Sequence, residues 1–412
     1  MNGNGSSSPH HAAAAASMIS GMPIEFHRAS SYSTNSVVRA TEGWLELFLT
    51  PHEKLTFSQW REEIKDKSLT RRLSNPLFEY LAYKYIPDTV APNVVTLAGF
   101  LILGHAWYLT NLYGDFYPTS CTWFAVISIL LFWATTSMEG FHTDRIRQRT
   151  PLGELFKYSC DSCATVFLVL LTTYCLGGTS VETQWNAVQA SQLVIYYKHL
   201  SAFHRNAGLR YHVFTGPGDV IMVCVCLLSI RGIFGLEWIL TVYERTIRDL
   251  LGYIIHHGRA QEQQMEKYLD NPKQVASELV KTVYYAMYLL AVVKTLLLKH
   301  PHGWSRFGLS TSLLMRIVPA ILIHFGLESE INVIDVICDG FFMAVLTSDV
   351  TLAKMAGREI HPWVVLMSMA AVLSHTTILA LVFVYYIAVF ADLCFYMNMP
   401  LFSTCRNGTL SL

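Results

Sequence analysis

The sequence predicts an all-α integral membrane protein, a bundle of about eight to ten transmembrane helices. Three observations predict it. First, the 412 residues are 52% hydrophobic and 15% charged, where a soluble domain carries about 25% charged residues. Second, the mean hydropathy is +0.34. Third, apolar stretches near the ~20 residues that cross a bilayer as a helix recur along the chain. A disordered chain and a conventional soluble enzyme are excluded on the same grounds. Thirty basic and 30 acidic residues cancel, so the global basic field of a nucleic-acid binder is absent.

The elements follow in order. Residues 1–40 are rich in Ser, His and Ala with no core pattern, which predicts a disordered segment. A signal peptide is not expected, because no basic stretch precedes an apolar one. Residues 41–91 form a cytosolic or interfacial segment before the membrane. There Trp44, Leu45, Leu47 and Phe48 suggest a short surface helix, and Lys65, Lys67, Arg71, Arg72 and Lys84 form a basic cluster. Spans are predicted at about 93–112, 121–138, 163–176, 187–203 and 219–236, with an amphipathic segment at 238–255. Further spans are predicted at 277–298, 309–327, 331–355 and 364–390, the last long enough to split near Ser374–His375. Residues 92–236 are read as the functional bundle and 237–412 as additional transmembrane helices.

Loop charge orients the bundle. Arg145, Arg147 and Arg149 follow span two, and Lys198, Arg205 and Arg210 surround the end of span four. The loops at 113–120 and 177–186 carry no Lys or Arg. This alternation predicts a cytosolic N-terminus, with residues 139–161 and 204–218 on the same side.

The densest polar run is 137–161, which holds Glu139, Asp144, Glu154 and Asp161 beside basic residues. Read alone, it is a charged loop leading into a helix. Pro151 suits the first helical turn with Thr150 as N-cap. Gly153, Lys157 and Asp161 then share one face, and Lys157 can pair with Asp161 four residues on.

This run resembles the signature of the CDP-alcohol phosphotransferases, D-x-x-D-G-x-x-A-R followed after eight residues by G-x-x-x-D-x-x-x-D. The spacing is met with Gly140 and Gly153 at the two glycines. Thr150 to Phe156 and Cys160-Asp-Ser162 are similar to the choline/ethanolamine branch, as are Pro92-Asn-Val-Val-Thr-Leu97, Leu73-Ser-Asn-Pro-Leu77 and Tyr85-Ile-Pro87. Phe214-Thr-Gly-Pro217 with Asp219, and Lys354 to His361, resemble two later loops of that branch. The similarity runs from about residue 45 to the C-terminus.

The resemblance implies phosphoalcohol transfer from CDP-choline or CDP-ethanolamine to diacylglycerol, with release of CMP, in a membrane of the endoplasmic reticulum or Golgi. Four carboxylates would hold two divalent cations, Mg²⁺ or Mn²⁺. It further implies that Asn93, Gly140, Arg145, Gly153 and Lys157 touch substrate, that Glu139 and Asp161 hold metal, and that Asp161 is the base on the lipid hydroxyl. The substrate pocket is expected between spans two and three and the 204–218 loop, and the later helices at a dimer interface. That interface would join two copies or a copy and an intact homologue.

The sequence departs from the pattern at the ligands. The four aspartate positions fall on Thr136, Glu139, Lys157 and Asp161, and A-R falls on Thr143 and Asp144 with Arg145 one place on. Glu139 and Asp161 bring −1 each and Lys157 +1, a formal −1 against the −4 of four aspartates. An ammonium at a cation's position repels it by about 4 kcal/mol per charge product at an effective dielectric of 20 and ~4 Å. Three readings follow: a site without turnover, a divergent transferase in which Lys157 holds phosphate, and a lipid-binding or scaffolding subunit.

Weaker signals carry less. Nine cysteines include Cys160-x-x-Cys163, with no second pair at zinc spacing, so neither metal nor a disulfide framework is expected. Asn407-Gly-Thr409 matches a glycosylation sequon, and His256–His257 ends the amphipathic segment. Asp335 and Asp339 share a helix face and predict a polar lining or an interhelical hydrogen bond. Trp107, Trp123 and Trp133 predict an aromatic belt.

Overall fold

The computed structural model describes residues 49–61, 65–205, 208–213, 216–242, 332–358, 375–406 and 409–410, with a few isolated positions between 245 and 293. Trp44 to Phe48, the span at 309–327, most of that at 277–298, His256–His257 and Asn407 lie outside the described residues.

Nine helices are numbered here, and residues 236–242 are helical as well. They are α1 (Pro51–Ser58), α2 (Leu69–Tyr85), α3 (Pro92–Tyr113), α4 (Pro118–Arg145), α5 (Pro151–Cys175), α6 (Val181–Arg205), α7 (Pro217–Phe234), α8 (Val333–Ala356) and α9 (His375–Met397). Five of these helices open on proline. Its missing N–H costs nothing in the first turn, and its fixed φ already suits the helix. Thr150 caps α5 as its sequence predicts, its hydroxyl accepting from the Gly153 N–H at 3.1 Å.

Helices α3, α4, α5 and α7, and residues Thr377–Met397 of α9, are long and apolar enough to cross a membrane. The chain is an all-α integral membrane protein. Short connections make α3 to α6 run alternately up and down. The start of α3, the end of α4 and the start of α5 therefore share one end, called here the near end.

Span two is longer than its apolar pattern. The residues from Glu139 to Arg145 continue α4 instead of opening a loop, so the connection to α5 shrinks to residues 146–150. The charges persist in the helix because they find partners. His142 Nδ1 accepts from the Arg145 guanidinium at 2.9 Å, and its Nε2–H donates to Val90 O at 2.7 Å.

Helix α5 is the axis of the bundle and contributes to two apolar cores. One is built from Leu155, Leu170, Val188, Leu193, Met343 and Val345, on α5, α6 and α8. The other joins Leu103, Ala106, Ala125, Ile129, Leu171 and Leu228, on α3, α4, α5 and α7. Gly340 allows α8 to approach this closely. A Cβ there would meet Val166 and Val188 side chains at 2.8–2.9 Å. As the sequence predicts, Asp339 makes an interhelical bond, accepting from Trp185 Nε1 at 2.8 Å. Trp107 and Trp133 are half-buried and pack on Phe167 and Phe78, and Trp123 is exposed.

Before the first span, α2 turns Leu73, Leu77, Tyr80 and Tyr83 outward. Lys65–Asp66 (β1) pairs in parallel with Arg210–Tyr211 (β2), tying the entry to α2 to the entry to α7. Cys405–Arg406 (β3) pairs antiparallel with Thr409–Leu410 (β4).

Candidate functional site

The last turns of α4 and the first turns of α5 face each other at the near end. Glu139 and Thr143 project from α4 into this junction, and Gly153 and Lys157 from α5. Glu139 is buried and Lys157 is largely buried. Lys157 Nζ lies 2.5 Å from Glu139 Oε2. Thr143 Oγ1 lies 2.8 Å from the other carboxylate oxygen, Oε1. The ion pair is thus Lys157 with Glu139 on the neighbouring helix, not the within-helix pair with Asp161 that spacing suggests. Asp161 sits one turn further along α5, half-buried, and its charge acts on Lys157 together with that of Glu154.

The same end holds a cleft of about 550 Å³, lined by Asn93, Glu139, Thr143, Thr150, Gly153 and Leu401 among others. Asn93 Nδ2 donates to Leu401 O at 2.8 Å. The Asn93 carbonyl oxygen faces Gly153, 3.5 Å from where a Cβ would sit. Gly140 is open, with nothing within 4 Å of a Cβ position. Gly153 therefore lines the cleft against Thr150 and Asn93, whereas Gly140 is open but is not part of the lining.

Arg145 is placed elsewhere. Its guanidinium donates to Ala82 O at 3.0 Å, Tyr83 O at 3.2 Å and Ile86 O at 2.5 Å, and pairs with Asp88 at 2.9 Å. It closes the C-terminal turn of α2, donating to carbonyls at the end of that helix. Asn93, Glu139, Gly153 and Lys157 are brought together, and Arg145 is not among them.

The expected wall from 204–218 is replaced. None of the described residues of that stretch lines the cleft, which is closed by Met399, Pro400, Leu401 and Ser403 after α9. Asp219 instead ties α7 to α2, accepting from the Thr70 N–H at 3.0 Å, the Thr70 hydroxyl at 2.8 Å and the Gly216 N–H at 3.1 Å. The late loop also has a structural partner, Arg358 pairing with Asp349 at 2.7 Å. No sequence signal pointed to Leu401, whose contribution is a backbone carbonyl 308 residues from Asn93.

The donor set does not fit two divalent cations. The carboxylates at the four positions are Glu139 and Asp161, and an ammonium already neutralises Glu139. Among the described residues, no group of three His, Cys, Asp or Glu side chains is placed to hold a metal ion.

No protein-family model matches the chain. Individual relatives do. The chain is 27% identical over 198 residues to choline/ethanolaminephosphotransferase 1 of Saccharomyces cerevisiae, covering 46% of this chain and 49% of the yeast protein. It is 28% identical over 180 residues to an uncharacterized CDP-alcohol phosphatidyltransferase class-I family protein of Schizosaccharomyces pombe, covering 42% and 45%. It is 29% identical over 143 residues to ethanolaminephosphotransferase 1 of Mus musculus, covering 32% and 35%. This chain is a relative of the CDP-alcohol phosphotransferases. It spans about half the length, or less, of these curated relatives. The resemblance to the phosphotransferase pattern covers Asn93, Glu139 and Gly153, which line one cleft. It does not explain Lys157, which sits where the pattern calls for an acid.

Proposed function

We propose that this chain acts in phospholipid synthesis as a phosphotransferase-type protein that binds CDP-choline or CDP-ethanolamine and diacylglycerol at the near-end cleft. Lys157 stands in for the metal ions, and turnover by the two-cation route is lost. One observation carries this reading: the 2.5 Å pair between Lys157 and Glu139. It places a fixed cation one turn from Gly153, whose backbone lines the cleft. A lysine ammonium is a credible phosphate ligand as a point charge. Basic residues at the near end and their absence from residues 113–120 and 177–186 support a cytosolic cleft. Transfer without the two-cation arrangement is the alternative. It draws on Asp161, which is kept one turn from Lys157 and would take the proton of a lipid hydroxyl beside a Lys157-held phosphate.

The test is transfer by purified full-length protein in lipid nanodiscs. Labelled CDP-ethanolamine or CDP-choline is supplied with diacylglycerol, with and without Mg²⁺ or Mn²⁺. The expected result is bound nucleotide and labelled lipid no faster than with Lys157→Ala. Lipid formation well above that control, abolished by Asp161→Ala, establishes the transferase instead.

A further inference from the structure

The bundle holds a second cleft at the end away from Lys157. It measures about 520 Å³ and is lined by Thr110 of α3, Thr122 of α4, Tyr174 and Cys175 of α5, Arg231 of α7, and Asp115. Tyr174 lies 17 residues beyond Lys157 on α5, about 26 Å at 1.5 Å per residue. That is close to the ~30 Å hydrocarbon thickness of a bilayer. The cleft therefore lies at head-group depth in the opposite leaflet. Tyr113, Phe116, Tyr117, Phe234 and Trp238 are exposed at this end, as aromatic side chains are at a lipid–water interface.

Arg231 lies in the last turn of an apolar spanning helix and is 5% exposed. Its Nε donates to Cys175 O at 3.0 Å, capping α5. Capping uses one of five guanidinium N–H donors. Among the described residues no carboxylate lies within ion-pair distance of the other four. Thr110, 1% exposed, lines the same cleft, and its hydroxyl has no hydrogen-bond partner. A buried cation and a buried unpartnered hydroxyl thus converge on one space, and both are costly unless something answers them. Asp115 is exposed at the rim, where its carboxylate accepts from Tyr174 Oη at 2.7 Å.

We propose that this cleft binds the head group of a zwitterionic phospholipid of that leaflet. The phosphate sits on the Arg231 guanidinium and the Thr110 hydroxyl, and the ammonium faces Asp115. A guanidinium fork matches two phosphate oxygens at once. The exposed apolar side chains of α7 beside it, Val223, Leu227 and Ile230, offer the acyl chains a lipid-facing track. A free phosphate would satisfy Arg231 but would use neither that track nor Asp115. The site is independent of the reading given for the near-end cleft.

Native mass spectrometry of the full chain, released from nanodiscs with equal phosphatidylethanolamine, phosphatidic acid and diacylglycerol, tests it. Wild type should retain phosphatidylethanolamine above both phosphatidic acid and diacylglycerol. Arg231→Gln should lower that retention about tenfold, the loss of one charged hydrogen-bond donor set. Thr110→Val should lower it about threefold while leaving the unfolding midpoint unchanged or raised. It carries the test if Arg231→Gln fails to fold. Asp115→Asn should erase the preference over phosphatidic acid. Wild-type retention by folded Arg231→Gln or Thr110→Val overturns the proposal. Complete displacement by inorganic phosphate at the same concentration overturns the lipid as occupant.

Discussion

Replacing Lys157 with Met removes the ammonium but leaves the Glu139 carboxylate in place, with 9% of its side chain exposed. The expected cost is about 3 kcal/mol, the low end for a broken buried pair, because 22% of the Lys157 side chain reaches solvent. Glu139→Leu with Lys157→Met should recover most of that loss, since the desolvation of both charges is relieved together. Thermal unfolding in detergent checks both variants. Gly140 separates function from fold in the same few ångströms. A Cβ there meets nothing, and alanine gains about 1 kcal/mol over glycine in a helix interior. Gly140→Ala should therefore be as stable as wild type or more so. It should bind CDP-ethanolamine more weakly, by about tenfold if the diphosphate approaches the bare backbone. Equilibrium binding of the labelled nucleotide is the measurement. At this scale the sequence was informative about identities and silent about partners. The sign reversal at Lys157 is visible in one letter. That its partner is Glu139 and not Asp161 required the facing of two helices.

Helix boundaries were legible where chemistry marks them. Thr150 followed by Pro151 announces α5, and the structure begins that helix there. The end of α4 was illegible for a physical reason. Hydropathy falls after Met138, and polar residues read as loop, yet Glu139, His142 and Thr143 are buried by α5 and by the turn after α2. Arg145 shows how strongly that extension is used. Its guanidinium holds three carbonyls at the C-terminal end of α2. Arg145→Ala should free that turn while leaving α3 to α5 intact. Hydrogen exchange at Ile86, whose N–H bonds to Ala82 O at 3.3 Å, should rise about tenfold or more. Exchange along α5 should not change.

The all-α membrane class was readable from composition because length and apolar content decide it, with no partner needed. The wall of the cleft was not readable, because Leu401 meets Asn93 across 308 residues of sequence. Orientation is the molecular property that charge predicts and labelling can measure. Arg147→Cys at the near end and Phe116→Cys at the far end, each in a background lacking reactive native thiols, should be modified from opposite sides of sealed vesicles. The Arg147→Cys variant should react from the cytosolic face. The junction of α4 and α5 has a last consequence. A ring of four carboxylates repels itself until dissolved ions arrive, so its assembly follows the divalent content of the compartment. Here the counterion is covalently part of the chain. The two helices can close as the protein folds, in the presence of chelators or in their absence, and the junction keeps one shape whatever the surrounding ionic supply.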